Sequence, residues 1–291
     1  MVGAEAVAVL QERSFMTAVS HPQAAPRFAL IIVGDEILSG KRQDRHMAKV
    51  IELLTARGLM LDAVRYVGDD RPRITAALRD AFASGDVVFC CGGIGATPDD
   101  HTRQCAAQAL GRPLEAHPQA VELIHERMRE LAEQRGEVYQ PEHPDNIHRL
   151  NMAQFPAGAE IIPNPYNRIA GFSVGSVHFV PGFPVMAHPM IEALLDGRYA
   201  ALHGGQAQAE RSVIVFGAME ASLTPLMIEI EAGFAGIKVF SLPSVDHPQY
   251  GRHIELGVKG RDPQLLAAFE ALNMGLLHMS AKLGPEMVRG A

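Results

Sequence analysis

Apolar and polar positions along the first 200 residues change rhythm several times. Residues 28–33 form a compact apolar run and are expected to be a strand. The next pattern places Met47, Val50, Ile51 and Leu54 on one face of a helix that Asp44 can cap, with Gly58 where a left-handed helix end belongs. Residues 59–67 read as a second strand, followed by a loop (residues 68–72) and a helix through Ile74, Leu78 and Phe82, with Pro72 in its first turn. Residues 87–91, Val-Val-Phe-Cys-Cys, are apolar at every position, as in a strand covered on both faces of a parallel sheet. Three strand-then-helix units in succession predict an α/β fold, a mostly parallel sheet with right-handed crossovers and a helical layer on each face.

A long helical stripe follows at residues 119–134, with Val121, Ile124, Met128 and Leu131 inward, to pack on the sheet or on a neighbouring subunit. Short strands are expected at 160–162, 171–174 and 177–180, the last two joined by Gly175-Ser176, and then a helix reaching Leu195. Residues 196–210 lose all periodicity and mark a domain boundary. Beyond it the pattern is strand (212–216), helix (220–232), strand (237–242), strand (253–258) and helix (263–282), a small α+β unit. The expected division is an arm (1–26), a main domain (27–200) and the small domain (210–285).

Composition narrows the choice of partner. The chain has 291 residues, 47% hydrophobic and 20% charged, with a formal net charge of -7, so no global positive field draws it to nucleic acid or anionic lipid. A small metabolite suits it better. Gly233-Phe234-Ala235-Gly236 has the GxxG form of RNA-binding loops but no basic residue, and reads as a turn. No run approaches the roughly 20 apolar residues of a membrane span. Three cysteines, two of them inside the apolar strand, argue for core packing and a reducing, cytoplasmic setting rather than a disulfide framework.

The chemistry is expected at the carboxyl ends of the strands, where ligands of such sheets sit. There the loops gather Asp35, Glu36, Asp69, Asp70, Asp99 and Asp100. Strand 87–91 runs directly into Gly92, Gly93 and Gly95, which leave the backbone open to an anion, and Thr97, Asp99 or Asp100 can cap the helix that follows. Two common phosphate motifs fail. Gly34 to Lys41 has one residue too many for a P-loop and is followed by Arg42 rather than Ser or Thr, and Pro98 stands where a dinucleotide fingerprint needs its third glycine.

The combination that remains, Gly92-Gly93-Ile94-Gly95-Ala96-Thr97-Pro98-Asp99-Asp100-His101-Thr102, resembles the Gly-Gly-Leu-Gly-Pro-Thr-x-Asp-Asp-x-Thr loop of molybdopterin-binding (MoaB/MogA-like) domains, in particular the version at the N-terminus of the competence/damage-inducible CinA proteins. Gly34, Glu36, Leu38, Gly40 and Asp44 match a second loop of that family, and Val67-Gly68-Asp69 a third. Pro156 to Ala159, Pro163-Asn164-Pro165, Gly171-Phe172 and Pro181-Gly182-Phe183-Pro184 match later landmarks in order, so the resemblance covers about residues 28–195. Residues 217–222 resemble, more weakly, a turn of the KH-like domain that follows in CinA proteins. The deamidase domain of long CinA proteins has no counterpart in these 291 residues, so nicotinamide-mononucleotide deamidation is not expected.

The resemblance implies a three-layer MogA-like fold, homo-oligomers (dimeric or trimeric), and a phosphorylated ligand, either molybdopterin or a nucleotide such as ADP-ribose. It implies either hydrolysis of a pyrophosphate bond with a divalent metal, or adenylyl transfer to molybdopterin. A non-catalytic binding module is the competing reading. The expected ligand contacts are Gly34, Glu36, Gly40, Gly92, Gly93, Gly95, Thr97, Asp99, Asn164, Arg168, Pro181 and Gly182. Carboxylates on adjacent strand ends can hold Mg²⁺ through one or two oxygens, which makes Asp69 and Asp100 the candidate catalytic and metal-holding groups, with Glu36 as a third. The chain departs from the family at Asp35, Arg45, His46 and residues 167–170, where Arg168 replaces a threonine and is expected to pair with phosphate. The thirteen histidines show no metal-site spacing.

Overall fold

The structure, a computed structural model, describes residues 26–204, 209–261 and 263–290; all but the last residue of the expected arm lies outside them, as does part of the expected boundary segment. The main domain runs β1 (Phe28–Val33), α1 (Asp35–Leu38), α2 (His46–Thr55), β2 (Leu61–Val67), α3 (Arg71–Ser84), β3 (Val87–Cys91), α4 (Thr102–Leu110), β4 (Leu114–Ala116), α5 (Pro118–Gln134), α6 (Pro144–Arg149), β5 (Gln154–Pro156), β6 (Glu160–Ile162), β7 (Gly171–Val174), β8 (Val177–Val180) and α7 (Pro184–Asp196). Six of the strands form one sheet in the order β2-β1-β3-β8-β7-β6, with β2, β1, β3 and β8 parallel. The tight turn at Gly175 (φ 60°) reverses the chain, so β7 runs antiparallel to β8, and β6 in turn pairs antiparallel with β7.

The buried strands alternate between two cores, as period 2 requires. Ile31, Val33, Val88 and Cys90 face Ile74 and Leu78 of α3, Cys105 and Ala106 of α4, and Ile124 and Met128 of α5. Leu30, Ile32, Phe89 and Cys91 face Val50 and Leu54 of α2 and Met190, Ile191 and Leu195 of α7. The inner stripe of α5 therefore packs on its own sheet. All three cysteines are free and buried.

Strand order places the site. Because β2 and β3 lie on opposite sides of β1, the chain leaves β1 in one direction and returns on the other side, and the loops after these strands diverge around a crevice.

The small domain contains β9 (Ala209–Phe216), α8 (Glu220–Gly233), β10 (Lys238–His247), β11 (Gly251–Gly260), α9 (Gln264–His278) and β12 (Lys282–Arg289). Its antiparallel sheet has the order β10-β11-β9-β12, and α8 and α9 cover the face carrying Val213, Val215, Leu256 and Val258. Two expectations fail here. The last helix stops at His278 rather than residue 282, and a fourth strand, β12, follows a turn in which Ser280 has φ 55°. Gly284-Pro285 hid that strand, yet a proline is tolerated where β12, an edge strand, bulges between Leu283 and Glu286. Likewise β10 continues through Pro243 because it is the opposite edge. Gly233 ends α8, and residues 234–236 make the expected helix-to-strand turn.

One buried polar chain crosses the main sheet. Ser173 on β7 bonds the His178 Nδ1 on β8 at 2.7 Å, and His178 Nε2 bonds the Tyr199 hydroxyl at 2.6 Å. His178 has no exposed surface, and burial pushes its pKa down to about 3, with Arg198 adding to the effect. Below pH 6.5 the unfolded chain binds a proton at this position and the folded chain does not, so stability falls with falling pH until pH reaches the folded value. The expected contribution is about 1.4 kcal/mol lost per pH unit between pH 6 and 3. Urea midpoints of wild type and His178→Phe across pH 7 to 4 check this: the variant should lose about one proton's worth of pH slope.

Candidate functional site

The loops after β1, β2, β3 and β8, with residues 164–170, enclose a cleft of about 530 Å³ at the carboxyl edge of the sheet. Of the expected ligand contacts, Gly34, Glu36, Gly92, Gly93, Gly95, Thr97, Asp99, Asn164, Pro181 and Gly182 line it, as do the expected catalytic and metal-holding groups Asp69 and Asp100. Gly40 does not; its φ of 73° serves the turn after α1. Asp35 and Asp70 also stand outside the lining. Asp70 caps α3, its carboxylate accepting the Arg73 N–H at 2.9 Å.

The glycine loop is shaped by what anchors its carbonyls. Gly92 and Gly93 have φ of 104° and 69°, and a Cβ at either would strike the Val33 carbonyl oxygen or the Thr102 hydroxyl. Thr102, the first residue of α4, is fully buried; its hydroxyl donates to the Gly92 carbonyl at 3.0 Å and its N–H to the Gly93 carbonyl at 2.9 Å. The next residue, Arg103, is 3% exposed and its guanidinium donates to the carbonyls of Ile94 and Gly95. Burial lowers its pKa to about 10 while Asp100 opposes the shift, so it stays charged at neutral pH. The His148 imidazole, from α6, donates to the Ala96 carbonyl at 2.8 Å.

In a planar trans peptide the N–H points opposite to the carbonyl. Anchoring the carbonyls of Gly92, Gly93, Ile94 and Gly95 to the start of α4 therefore turns the N–H groups of Gly93, Ile94, Gly95 and Ala96 away from it, toward the cleft these residues line. None of the four donates to a protein acceptor among the described residues. Successive backbone donors of this kind form an anion-binding nest.

The carboxylates are less uniform than their clustering suggests. No side chain caps α4, so the expected cap from Thr97, Asp99 or Asp100 is absent. Asp100 instead closes the loop on itself: its Oδ2 accepts both the N–H (2.8 Å) and the hydroxyl (2.6 Å) of Thr97. The first and second loops are tied by a reciprocal pair, the Asp35 N–H donating to Asp69 Oδ2 at 2.9 Å and the Asp69 N–H to Asp35 Oδ1 at 3.1 Å. Burial raises the Asp69 pKa above the usual carboxylate range; the Asp35 N–H opposes this, and the charges of Asp35, Glu36 and Asp99 add to it. Among the described residues no three His, Cys, Asp or Glu side chains are grouped as a complete ligand set for a metal.

Two side chains do not behave as the sequence suggested. Arg168, with φ 64°, turns its guanidinium to α5, where it pairs with Glu126 at 3.2 Å and Glu130 at 2.8 Å, and it does not line the cleft. Asn164 lines the cleft but is spent on its own loop, donating to Asn167 Oδ1 and the Ile169 carbonyl and accepting the Tyr166 N–H. Arg42, Arg103 and Asn167 were missed as site residues. Arg103 lay in a helix start read for its caps, and Arg42 was weighed only as the residue that spoils a P-loop. Met152, Ile169, Phe183 and Met186 add apolar surface to the lining.

A glycine nest, carboxylates and apolar side chains lining one cleft at a sheet's switch point have the makeup of a small-molecule binding domain. Residues 29–201 match the family model described as a probable molybdopterin binding domain, and the chain belongs to that family. A CinA-like protein of Anaeromyxobacter dehalogenans (strain 2CP-1) is 36% identical over 160 residues, covering 54% of this chain and 37% of that protein. A CinA-like protein of Geobacter metallireducens is 28% identical over 267 residues, covering 90% and 61%. This chain thus spans less than half the length of the Anaeromyxobacter relative. The crystal structure of the protein CinA, of unknown function, from Thermoplasma acidophilum superposes with a TM-score of 0.49 at 29% identity, covering 59% of this chain and 97% of that one.

Replacing Arg103 by methionine strands two buried carbonyls and frees the loop they hold. The expected cost is about 2–4 kcal/mol in urea unfolding. Asp69→Asn keeps an acceptor for the Asp35 N–H and removes a crowded, partly screened charge, so it should raise stability at pH 7 by a few tenths to about 1 kcal/mol. A fall in melting temperature would show that the Asp69 charge is needed for folding.

Proposed function

We propose that the cleft binds a phosphorylated pterin or nucleotide, phosphate on the N–H groups of Gly93 to Ala96 and ring against Phe183 and the neighbouring methionines, and that it cleaves a pyrophosphate bond within such a ligand. The observation that carries this reading is the presence of two opposite features in the lining of one cleft. Four outward backbone N–H groups suit an anion, and Glu36, Asp69, Asp99 and Asp100 suit a cation.

The carboxylates fit a divalent ion of the Mg²⁺ type in the manner such ions favour, one or two protein carboxylates completed by phosphate oxygens and water. Crowding by like charge around Asp69 supports this fit, because a bound cation relieves it. Asp69 and Glu36 would hold the ion, Asp69 through the oxygen that the Asp35 N–H leaves free. When bound, the ion would polarise a phosphoryl oxygen and lower the pKa of a water.

The chain's own groups supply the rest. The nest fixes the phosphate and stabilises charge growing on its oxygens. Asp69 takes a proton from the attacking water, the new P–O bond forms, the bond to the bridging oxygen breaks, and two phosphate monoesters leave. ADP-ribose would give AMP and ribose 5-phosphate. One observation favours a second reading, a binding module without turnover. Asp69 and Asp100 both carry hydrogen bonds that hold loops in place, which is work enough to explain their presence.

Phosphorus-31 NMR of ADP-ribose, ATP and molybdopterin incubated with protein and Mg²⁺, Mn²⁺ or Co²⁺ separates the two. Hydrolysis should convert pyrophosphate signals of ADP-ribose to monoester signals only with metal present. Asp69→Ala should slow it by roughly 100-fold or more while binding persists. Unchanged spectra with every ligand, together with a ligand-dependent rise in melting temperature, would leave the binding module; transfer of AMP from ATP to molybdopterin would name an adenylyltransferase.

A further inference from the structure

We propose that Arg42 is the cation that receives the ligand in this cleft, and that it selects ligands carrying two linked phosphates over those carrying one. This rests on the phosphate-binding reading above and goes further, to the class of ligand. Among the described residues Arg42 is the only Arg or Lys lining the cleft, alongside the carboxylates of Glu36, Asp69, Asp99 and Asp100. Arg57, Arg65, Arg129, Arg198 and Arg289 close salt bridges elsewhere in this chain, whereas exposed arginines such as Arg73 and Arg79 do not, so what sets Arg42 apart is its place in the cleft lining. The Arg42 guanidinium forms no ion pair or hydrogen bond with any described residue.

Its base is nonetheless fixed. The Arg42 N–H donates to the Glu36 carbonyl at 2.9 Å, closing the turn that Gly40 permits, so the side chain starts from a defined point on the cleft rim. Its neighbours Lys41 and Arg45 are also exposed and without a carboxylate partner among the described residues. These three cations share five residues with Asp44, and of them only Arg42 lines the cleft.

The other arginines near the cleft are excluded by their partners. Arg103 stands behind the nest with its guanidinium spent on two carbonyls. Arg168 is held by Glu126 and Glu130. What the nest and Arg42 offer is therefore two separate anion receptors in one cleft. Four backbone N–H groups satisfy one phosphate, and a planar fork of guanidinium donors suits the paired oxygens of a second. A monophosphate seated in the nest gains little from Arg42; a diphosphate engages both.

The test is calorimetric titration of wild type, Arg42→Ala and Arg42→Lys with AMP and with α,β-methylene-ADP, whose bridging carbon resists hydrolysis, in Mg²⁺ buffer. Wild type should prefer the diphosphate. Arg42→Ala should weaken diphosphate binding about 10- to 100-fold and AMP binding less than about 3-fold, with Arg42→Lys between. Melting curves confirm that the variants fold. Equal losses for both nucleotides, or no loss, would overturn the role of Arg42 and leave phosphate binding standing. If folded wild type binds neither nucleotide, the phosphate-binding reading fails and this inference with it.

Discussion

A trans peptide group cannot present its carbonyl and its N–H to the same side. The cleft of this protein is built on that constraint. Thr102 and Arg103, two consecutive residues at the start of α4, take the carbonyls of Gly92, Gly93, Ile94 and Gly95, and the donors of the loop are left facing the ligand side. The glycines are needed for two different reasons. Gly92 and Gly93 adopt φ values that a side chain resists, whereas Gly95 has ordinary backbone but no room, since a Cβ would lie 2.5 Å from Asp100 Oδ2. A buried arginine is an expensive anchor, and it is tolerated because both of its bonds go to carbonyls that have no other partner among the described residues.

The same logic ties the remaining walls together. Asp35 and Asp69 exchange backbone bonds between the loops after β1 and β2. On the other side His46, on α2, donates from Nε2 to the Gly182 carbonyl at 3.1 Å, and Gly182 packs against the Cα of Gly92. Burial holds the His46 pKa down, so the neutral ring makes this bond. Each loop of the cleft is thus fixed by a bond to a neighbouring strand, loop or helix, and a displaced loop disturbs the next.

The fold was legible because it rests on periodicity. Strands β1 and β3 are apolar throughout and the stripes of α2, α3 and α5 are clear, so sheet, crossovers and the edge bearing the site followed from pattern. What was not legible depends on chain atoms far apart in sequence. Arg168 read as a phosphate ligand because it stands where the resembled family has a threonine and a guanidinium can pair with phosphate, but two glutamates on α5 hold it elsewhere. Arg103 read as an ordinary helix residue because nothing local says that its guanidinium will be buried under a glycine loop. Strand β12 was hidden by Gly284-Pro285, which marks a break in a central strand and only a bulge on an edge.

Charge explains why the cleft's carboxylates and donors belong to one site rather than two. With Glu36, Asp69, Asp99 and Asp100 against Arg42 alone, the lining carries a net charge of about -3 if all four are ionised. A phosphate brought in by itself would meet that charge at close range in a partly desolvated space, where repulsion of several kcal/mol is ordinary. The nest offsets part of it, but backbone dipoles are partial charges. A cation arriving with the ligand reverses the sign of the problem, since it is attracted by both. The Asp69 carboxyl, raised by burial and then by the charges of Asp35, Glu36 and Asp99, is a group whose ionised form such a cation would favour.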